Sequence, residues 1–173
     1  MALVFIASAT ASGSATLEFT SGIDSTYNEY QFQFVNMHAA NDGTVFEFQV
    51  NTGFNQVITS TAFYAYHHET SGATALSYHT GADQAQTQLY QRLNSAGADN
   101  DQALAGILTL YAPSSPTYVK HFTSNSNTAH DGDYSYQLKV AGYINTTSAI
   151  DKISFKMSSG NIDAGTIYMY GVG

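Results

Sequence analysis

Two short acidic loops carry the residues best suited to bind a metal ion. Asp99 and Asp101 lie in "GADNDQ", and Asp131 and Asp133 lie in "HDGDY", so each loop brings two carboxylates together beside a glycine. Calcium takes about six to eight oxygen ligands, and either loop supplies about three of them. Asx turns, in which a carboxylate accepts amides of its own loop, explain both patterns at least as well. The four aspartates are therefore weak calcium candidates, and no other metal or cofactor is predicted.

Adjacent histidines and one glutamate offer little else for catalysis. His67 and His68 end the run "AFYAYHH", and consecutive strand residues point to opposite faces, so the two imidazoles cannot share one ion there. Glu47 is the only acid in the middle of a clearly alternating strand, whereas glycoside hydrolysis needs two facing carboxylates. The chain contains no G-x-S-x-G motif that would expose a nucleophilic serine. We expect no catalytic residues and no enzymatic activity.

Paired tyrosines are the feature best suited to binding. Tyr64 and Tyr66 share one face of a predicted strand, and Tyr168 and Tyr170 share one face of another. Tyrosine combines a large apolar ring with a polar tip, which suits stacking against a sugar and contact with another subunit equally well. The four tyrosines are candidates for a binding surface, and the alternative for each pair is that it fills the core or an oligomer interface.

Alternation of apolar and polar residues predicts the strands that must position these groups. In "YNEYQFQFVNM" the aromatic residues share one face, and "TVFEFQV" follows either as its hairpin partner or as a strand facing it across the core. Similar alternation occurs over residues 15–19, 104–111, 117–123 and 134–144. The closing "ISFKMSSGNIDAGTIYMY" predicts a hairpin, with its second strand at a sheet edge.

Two segments need a choice between structures. Residues 82–93, "ADQAQTQLYQRL", predict a short helix because Ala85, Leu89 and Leu93 recur every four residues without Gly or Pro, and a loop is the alternative. The opening "LVFIA" resembles the apolar part of a signal peptide. Because no basic residue precedes it and the apolar run is short, a first strand is the better interpretation.

These elements predict the fold class. They amount to about nine strands, with residues 60–67 as a further one, and neither repeats nor linkers divide the chain. We therefore expect one domain over residues 1–173: an all-β, jelly-roll-like β-sandwich of roughly 8–10 antiparallel strands with at most one short helix.

Composition limits the partners. The chain carries 13 acidic against 5 basic residues, for a formal net charge of -8, which disfavours nucleic acid. No apolar run reaches the ~18 residues of a membrane-spanning helix, so no membrane insertion is expected. Charged residues make up only 10% of the sequence, so burying the surface costs little desolvation. We expect a homo-oligomer, with a trimer favoured, because oligomers also cover exposed sheet edges.

The order of four segments carries a family resemblance. They are "LVFIASATASGSATLEFTSGIDSTYNEYQFQFVNM", "TGADQAQTQLYQRL", "PTYVKHF" and "AIDKISFKMSSGNIDAGTIYMYGVG". In this order, over nearly the whole chain, they resemble a family of small proteins encoded by tailed phages, especially marine ones. The "SSGNI" turn and final "YG" are also similar to the last strands of jelly-roll modules on phage structural and tail-fibre proteins.

The resemblance implies a virion component. Together with the strand pattern and the missing catalytic groups, it predicts a non-enzymatic structural protein at the virion surface, whose partners are capsid or tail proteins of the phage. A capsid decoration protein that binds the capsid lattice as an oligomer is favoured, because the chain shows no heptads or collagen-like repeat that would form a fibre shaft. The alternative is a tail-fibre or receptor-binding module that recognises a glycan or protein on the host surface.

Overall fold

The computed structural model describes residues 2–70 and 72–173, which form thirteen β-strands. The strands are Leu3–Thr10 (β1), Leu17–Phe19 (β2), Glu29–Ala39 (β3), Thr44–Val50 (β4), Ile58–His68 (β5), Thr74–Tyr78 (β6), Gln84–Thr87 (β7), Gln91–Ala96 (β8), Leu104–Tyr111 (β9), Lys120–His130 (β10), Tyr134–Ile144 (β11), Ile153–Met157 (β12) and Ile162–Val172 (β13). None of the described residues belongs to a helix that could span a membrane.

The strands form two antiparallel sheets that pack against each other. The larger sheet has nine strands in the order β1-β13-β3-β9-β10-β11-β5-β6, with β7 also paired to β5. The smaller sheet has four strands in the order β2-β12-β4-β8. The predicted all-β sandwich is confirmed, with more strands than expected because β6, β7 and β8 are short and lack clear alternation.

Eight of the strands have jelly-roll connectivity. In chain order these are β1, β2, β3, β4, β8, β9, β12 and β13. The first pairs with the last, the second with the seventh, the third with the sixth and the fourth with the fifth. This nested pairing alternates between the two sheets, as in a double Greek key. The other five strands are insertions, β5–β7 after β4 and β10–β11 after β9, and all of them extend the larger sheet beyond β9.

Phenylalanine rings from both sheets fill the core, because the alternating strands turn one face of each sheet inward. The ring of Phe155, on β12, lies between 5.5 and 5.8 Å, centroid to centroid, from the rings of Phe32, Phe34 and Phe46. Phe48 on β4 meets Phe122 on β10 at 5.2 Å. All of these side chains are buried, which confirms the predicted inward faces of β3 and β4.

The helix predicted over residues 82–93 is wrong, since this segment forms β7, a turn and β8. Leu89 is 68% exposed whereas Leu93 is fully buried, so the regular spacing does not form one apolar face. Glutamine side chains bind the backbone of the segment instead. Gln84 Nε2 donates to Tyr90 O at 3.0 Å, and Gln91 Nε2 donates to Ala82 O at 2.7 Å. These side-chain hydrogen bonds satisfy backbone carbonyl groups that a helix would pair within itself.

The closing hairpin is also wrong, because its two arms belong to different sheets. β12 pairs with β2 and β4 in the smaller sheet, whereas β13 pairs with β1 and β3 in the larger one. The last strand is therefore not at an edge. Each arm has one apolar face, as predicted, but the two faces meet the same core from opposite sides. Of the two arrangements open for β3 and β4, the structure has strands that face each other across the core.

Candidate functional site

A cleft of about 590 Å³ opens where the larger sheet continues past the smaller one. Its floor is the inner face of β5 and β11. Strand β8, at the edge of the smaller sheet, forms one wall, and β6 with the turn after it forms the other. The turn between β10 and β11 closes one end. The two jelly-roll insertions therefore supply most of the cleft.

Strands β5 and β11 run from the core into the cleft, so the surroundings of their inner faces change where the smaller sheet ends. On the inner face of β5, Ala62 is fully buried in the core and Tyr64 is half-buried in the cleft. On β11, Leu138 is fully buried and the next inner residues, Tyr136 and Tyr134, line the cleft. The same face thus changes from aliphatic to tyrosine on both strands at the point where the covering sheet stops.

Four tyrosines form the floor as one aromatic cluster. The Tyr64 ring lies 5.3 Å from that of Tyr136 at 20°, and 6.2 Å from that of Tyr66 at 14°. Tyr66 and Tyr134 approach to 5.2 Å. Burial raises the pKa of Tyr136 to about 12, so its phenol keeps its proton at neutral pH and can act as a hydrogen-bond donor.

Two histidines adjoin this cluster. The His130 ring stacks on Tyr134 at 4.2 Å and 17°, and its Nε2 lies 3.1 Å from the Tyr134 hydroxyl. His79 meets the edge of Tyr64 at 5.4 Å. Burial is the main cause that lowers the pKa of both histidines, and the charge of Arg92 lowers both further. Because each pKa falls below its ordinary value of 6.5, both imidazoles are mainly neutral at pH 7.

Arg92, on the wall strand β8, supplies the positive charge of the cleft. Burial lowers its pKa, but an arginine stays protonated in proteins. No motif in the sequence selects this residue, which lies in the segment predicted to be a helix. Its being the only arginine of the chain was the one available signal.

The predicted tyrosine pairs lie in different places. Tyr64 and Tyr66 share the cleft, whereas Tyr168 and Tyr170 lie half-buried on the outer face of the larger sheet. Tyr170 contacts Phe5 of β1 there, with ring centroids 5.9 Å apart. The two pairs cannot bind one small ligand together, because they are on opposite faces and several strands apart.

Each of the four aspartates predicted as calcium candidates has surroundings of its own. Asp99 accepts a hydrogen bond from Gln102 Nε2 at 3.3 Å, Asp101 is exposed, and Asp131 pairs with His130. Asp133 has a left-handed backbone, with φ of 59°. In residues 2–70 and 72–173, no three His, Asp or Glu side chains lie together in a way that could hold a metal ion. Calcium at either loop stays a prediction.

The other groups considered for catalysis have distinct surroundings. His67 and His68 point to opposite faces of β5, as predicted, and only His68 lines the cleft. Glu47 is half-buried and its Oε1 lies 3.4 Å from Lys156 Nζ. Burial raises the pKa of Glu47, and the nearby Lys156 opposes this rise.

The cleft therefore combines apolar ring surface, neutral imidazoles, phenol hydroxyls and one guanidinium. Such a set suits a polar ligand that also has apolar faces, because the rings contact the faces and the polar groups bind the hydroxyls. No protein-family model matches the chain, and no curated protein matches it either.

Proposed function

We propose that the protein is a non-enzymatic surface component of a tailed-phage particle that binds a host glycan through the tyrosine cleft. The observation that carries this proposal is the cluster of four tyrosines in the cleft, of which Tyr136 is buried and the other three are half-buried. The phage assignment rests on the sequence resemblance and is compatible with the jelly-roll connectivity.

The tyrosine rings of the cleft match the apolar faces of a sugar. A pyranose has C–H groups on its faces and hydroxyls at its rim, so it needs aromatic surface below and hydrogen-bonding groups around it. Tyr64 and Tyr66 offer rings that are only half-buried, and His79, His130 and the tyrosine hydroxyls surround them. A volume of about 590 Å³ is sufficient for a small ligand or a few sugar units.

Alanine in place of Tyr64 or Tyr66 is expected to weaken glycan binding by about tenfold or more, because each change removes a stacking surface. A glycan array identifies the ligand, and isothermal titration calorimetry on the best hit compares the variants. Tyr168→Ala and Tyr170→Ala are matched controls on the outer face and should bind within about twofold of the parent. Glycan binding that is absent, or that survives both cleft substitutions unchanged, would rule out this site.

Capsid decoration is the second candidate, and the outer face of the larger sheet favours it. Large apolar side chains are exposed there: Phe5 at 57%, Val35 at 42%, Phe63 at 48%, Leu76 at 75% and Ile107 at 39%. A shallow groove lies between Phe63 and Ile107, and Lys139 is its one charged lining residue. Such a face loses little solvation when it is covered by another subunit or by a capsid lattice.

This second function predicts self-association through the outer face. The parent protein should sediment as a trimer, and a Phe63→Asp/Ile107→Asp variant should sediment as a monomer, because the new carboxylates would have to be desolvated in the contact. Leu89→Asp, at an exposed position elsewhere, should leave the trimer intact.

Immunogold labelling of particles separates the two functions. Labelled heads indicate decoration, and labelled tails indicate receptor binding. Particles without label would contradict both.

A further inference from the structure

The charge of the cleft differs from that of the chain. Acidic residues outnumber basic ones by 13 to 5 over the sequence. Among the described residues that line the cleft, however, there are Arg92 and three histidines but neither Asp nor Glu. Because His79 and His130 are mainly neutral, Arg92 supplies the positive charge of this lining, in a protein whose overall charge is strongly negative.

Arg92 has few partners of its own. Its Nη2 donates a hydrogen bond to Ser95 Oγ, while its Nε is buried and finds no acceptor among the described residues. No described carboxylate forms an ion pair with it. Glu47 is near enough for its charge to act on Arg92, but it is itself paired with Lys156. A guanidinium that is partly removed from water and has no carboxylate in direct contact is unfavourable, and an anionic ligand group would offset that cost.

We infer that the cleft selects acidic saccharides, with the ligand carboxylate bound to Arg92 beside the tyrosine floor. This inference rests on the proposed glycan-binding function and adds the ligand class. A guanidinium presents a planar array of donors that matches a carboxylate in two parallel hydrogen bonds. The tyrosine rings lie next to it and can hold the pyranose that carries the carboxylate.

The surroundings also limit the number of ligand charges. The Tyr78 hydroxyl donates to Asp83 Oδ2 at 2.8 Å, and His130 pairs with Asp131, so two carboxylates lie just outside the cleft lining. These carboxylates repel further negative charge on the ligand. The cleft therefore favours a glycan with one isolated carboxylate over a densely sulfated one.

The test is a glycan array in which each hexuronic-acid or nonulosonic-acid glycan is printed beside its methyl ester, with neutral and densely sulfated glycans as further arms. Free acids should bind at least about tenfold more tightly than their esters, because esterification removes the charge but keeps the sugar skeleton. Hits that bind acid and ester equally, or that are confined to neutral or densely sulfated glycans, would overturn the inference and leave glycan binding intact. An array without any hit would instead contradict the proposed function.

Substitutions of Arg92 assign the effect to this residue. Calorimetry on the best acidic hit should show that Arg92→Gln loses the preference for acid over ester and still binds the ester as the parent does. Arg92→Lys, which keeps the charge but not the planar donors, should retain only part of the preference. Near-ultraviolet circular dichroism checks that the tyrosine cluster is intact in both variants. If Arg92→Gln keeps the full preference, the carboxylate does not bind there.

Discussion

Replacing Phe155 by alanine is expected to lower the free energy of unfolding by about 3–5 kcal/mol. The side chain is fully buried at the centre of the sandwich, between the two sheets. Its ring touches rings of β3 and β4, including one near-parallel contact with Phe46 at 5.8 Å and 12°. Removing it leaves a cavity that two hydrogen-bonded sheets cannot easily close. Urea denaturation followed by circular dichroism measures the change.

Leu76→Ala is the control for this prediction. Leu76 is also a large apolar residue on a strand, but it is 75% exposed, so its loss should change the unfolding free energy by less than about 0.5 kcal/mol. If Phe155→Ala costs no more than the control, the aromatic cluster is not the centre of the core.

Gln91→Leu is expected to destabilise the protein by about 2–4 kcal/mol, although leucine is similar in size. The Gln91 side chain is fully buried and holds two segments together. Ser60 Oγ donates to its Oε1 at 2.7 Å, and its Nε2 donates to Ala82 O at 2.7 Å and to Arg92 O at 3.0 Å. Leucine leaves these polar groups buried without their partner, and that desolvation is costly. Thermal and urea unfolding both measure the loss.

Gln88→Leu offers the same substitution at an exposed position of the neighbouring turn. It should leave the unfolding free energy within about 0.5 kcal/mol of the parent. Equal effects of the two substitutions would show that the buried glutamine network contributes nothing specific. A larger effect at Gln91 would support the view that glutamine side chains, and not a helix, determine the structure of residues 82–93.

The strands were predictable where one face is buried and the other is not. On β3, Phe32 and Phe34 alternate with glutamines, and on β4, Phe46 and Phe48 alternate with polar residues. Each strand shows this pattern because it has the core on one side only. The strands that pair with each other were harder to predict, because a strand with one apolar face fits either sheet. The closing arms therefore looked like a hairpin although they lie in opposite layers.

The cleft was predictable only in part. Alternation placed Tyr64 and Tyr66 on one face, and likewise Tyr134 and Tyr136, but it could not show that β5 and β11 are neighbours. That pairing joins two separate insertions, so no local pattern reports it. Arg92 was missed because the backbone before it is irregular. Hydrogen bonds of the Gln91 side chain and the Gln84 amide with Ser60 hold this backbone, and periodicity does not detect such distant contacts.

The nested strand order also governs how the chain reaches its fold. β1 pairs with β13, so the β1 edge of the larger sheet cannot form until residues 162–172 are available, and the loop closed by this pair includes nearly all of the chain. Sheets dominated by such distant pairs fold slowly, typically in milliseconds to seconds, because the entropy of loop closure is lost before contacts compensate it. The hairpin of β10 and β11, joined by a turn of three residues, needs no distant partner. It can therefore form early, on the microsecond timescale of isolated hairpins, and offer an edge on which β9 and β5 assemble.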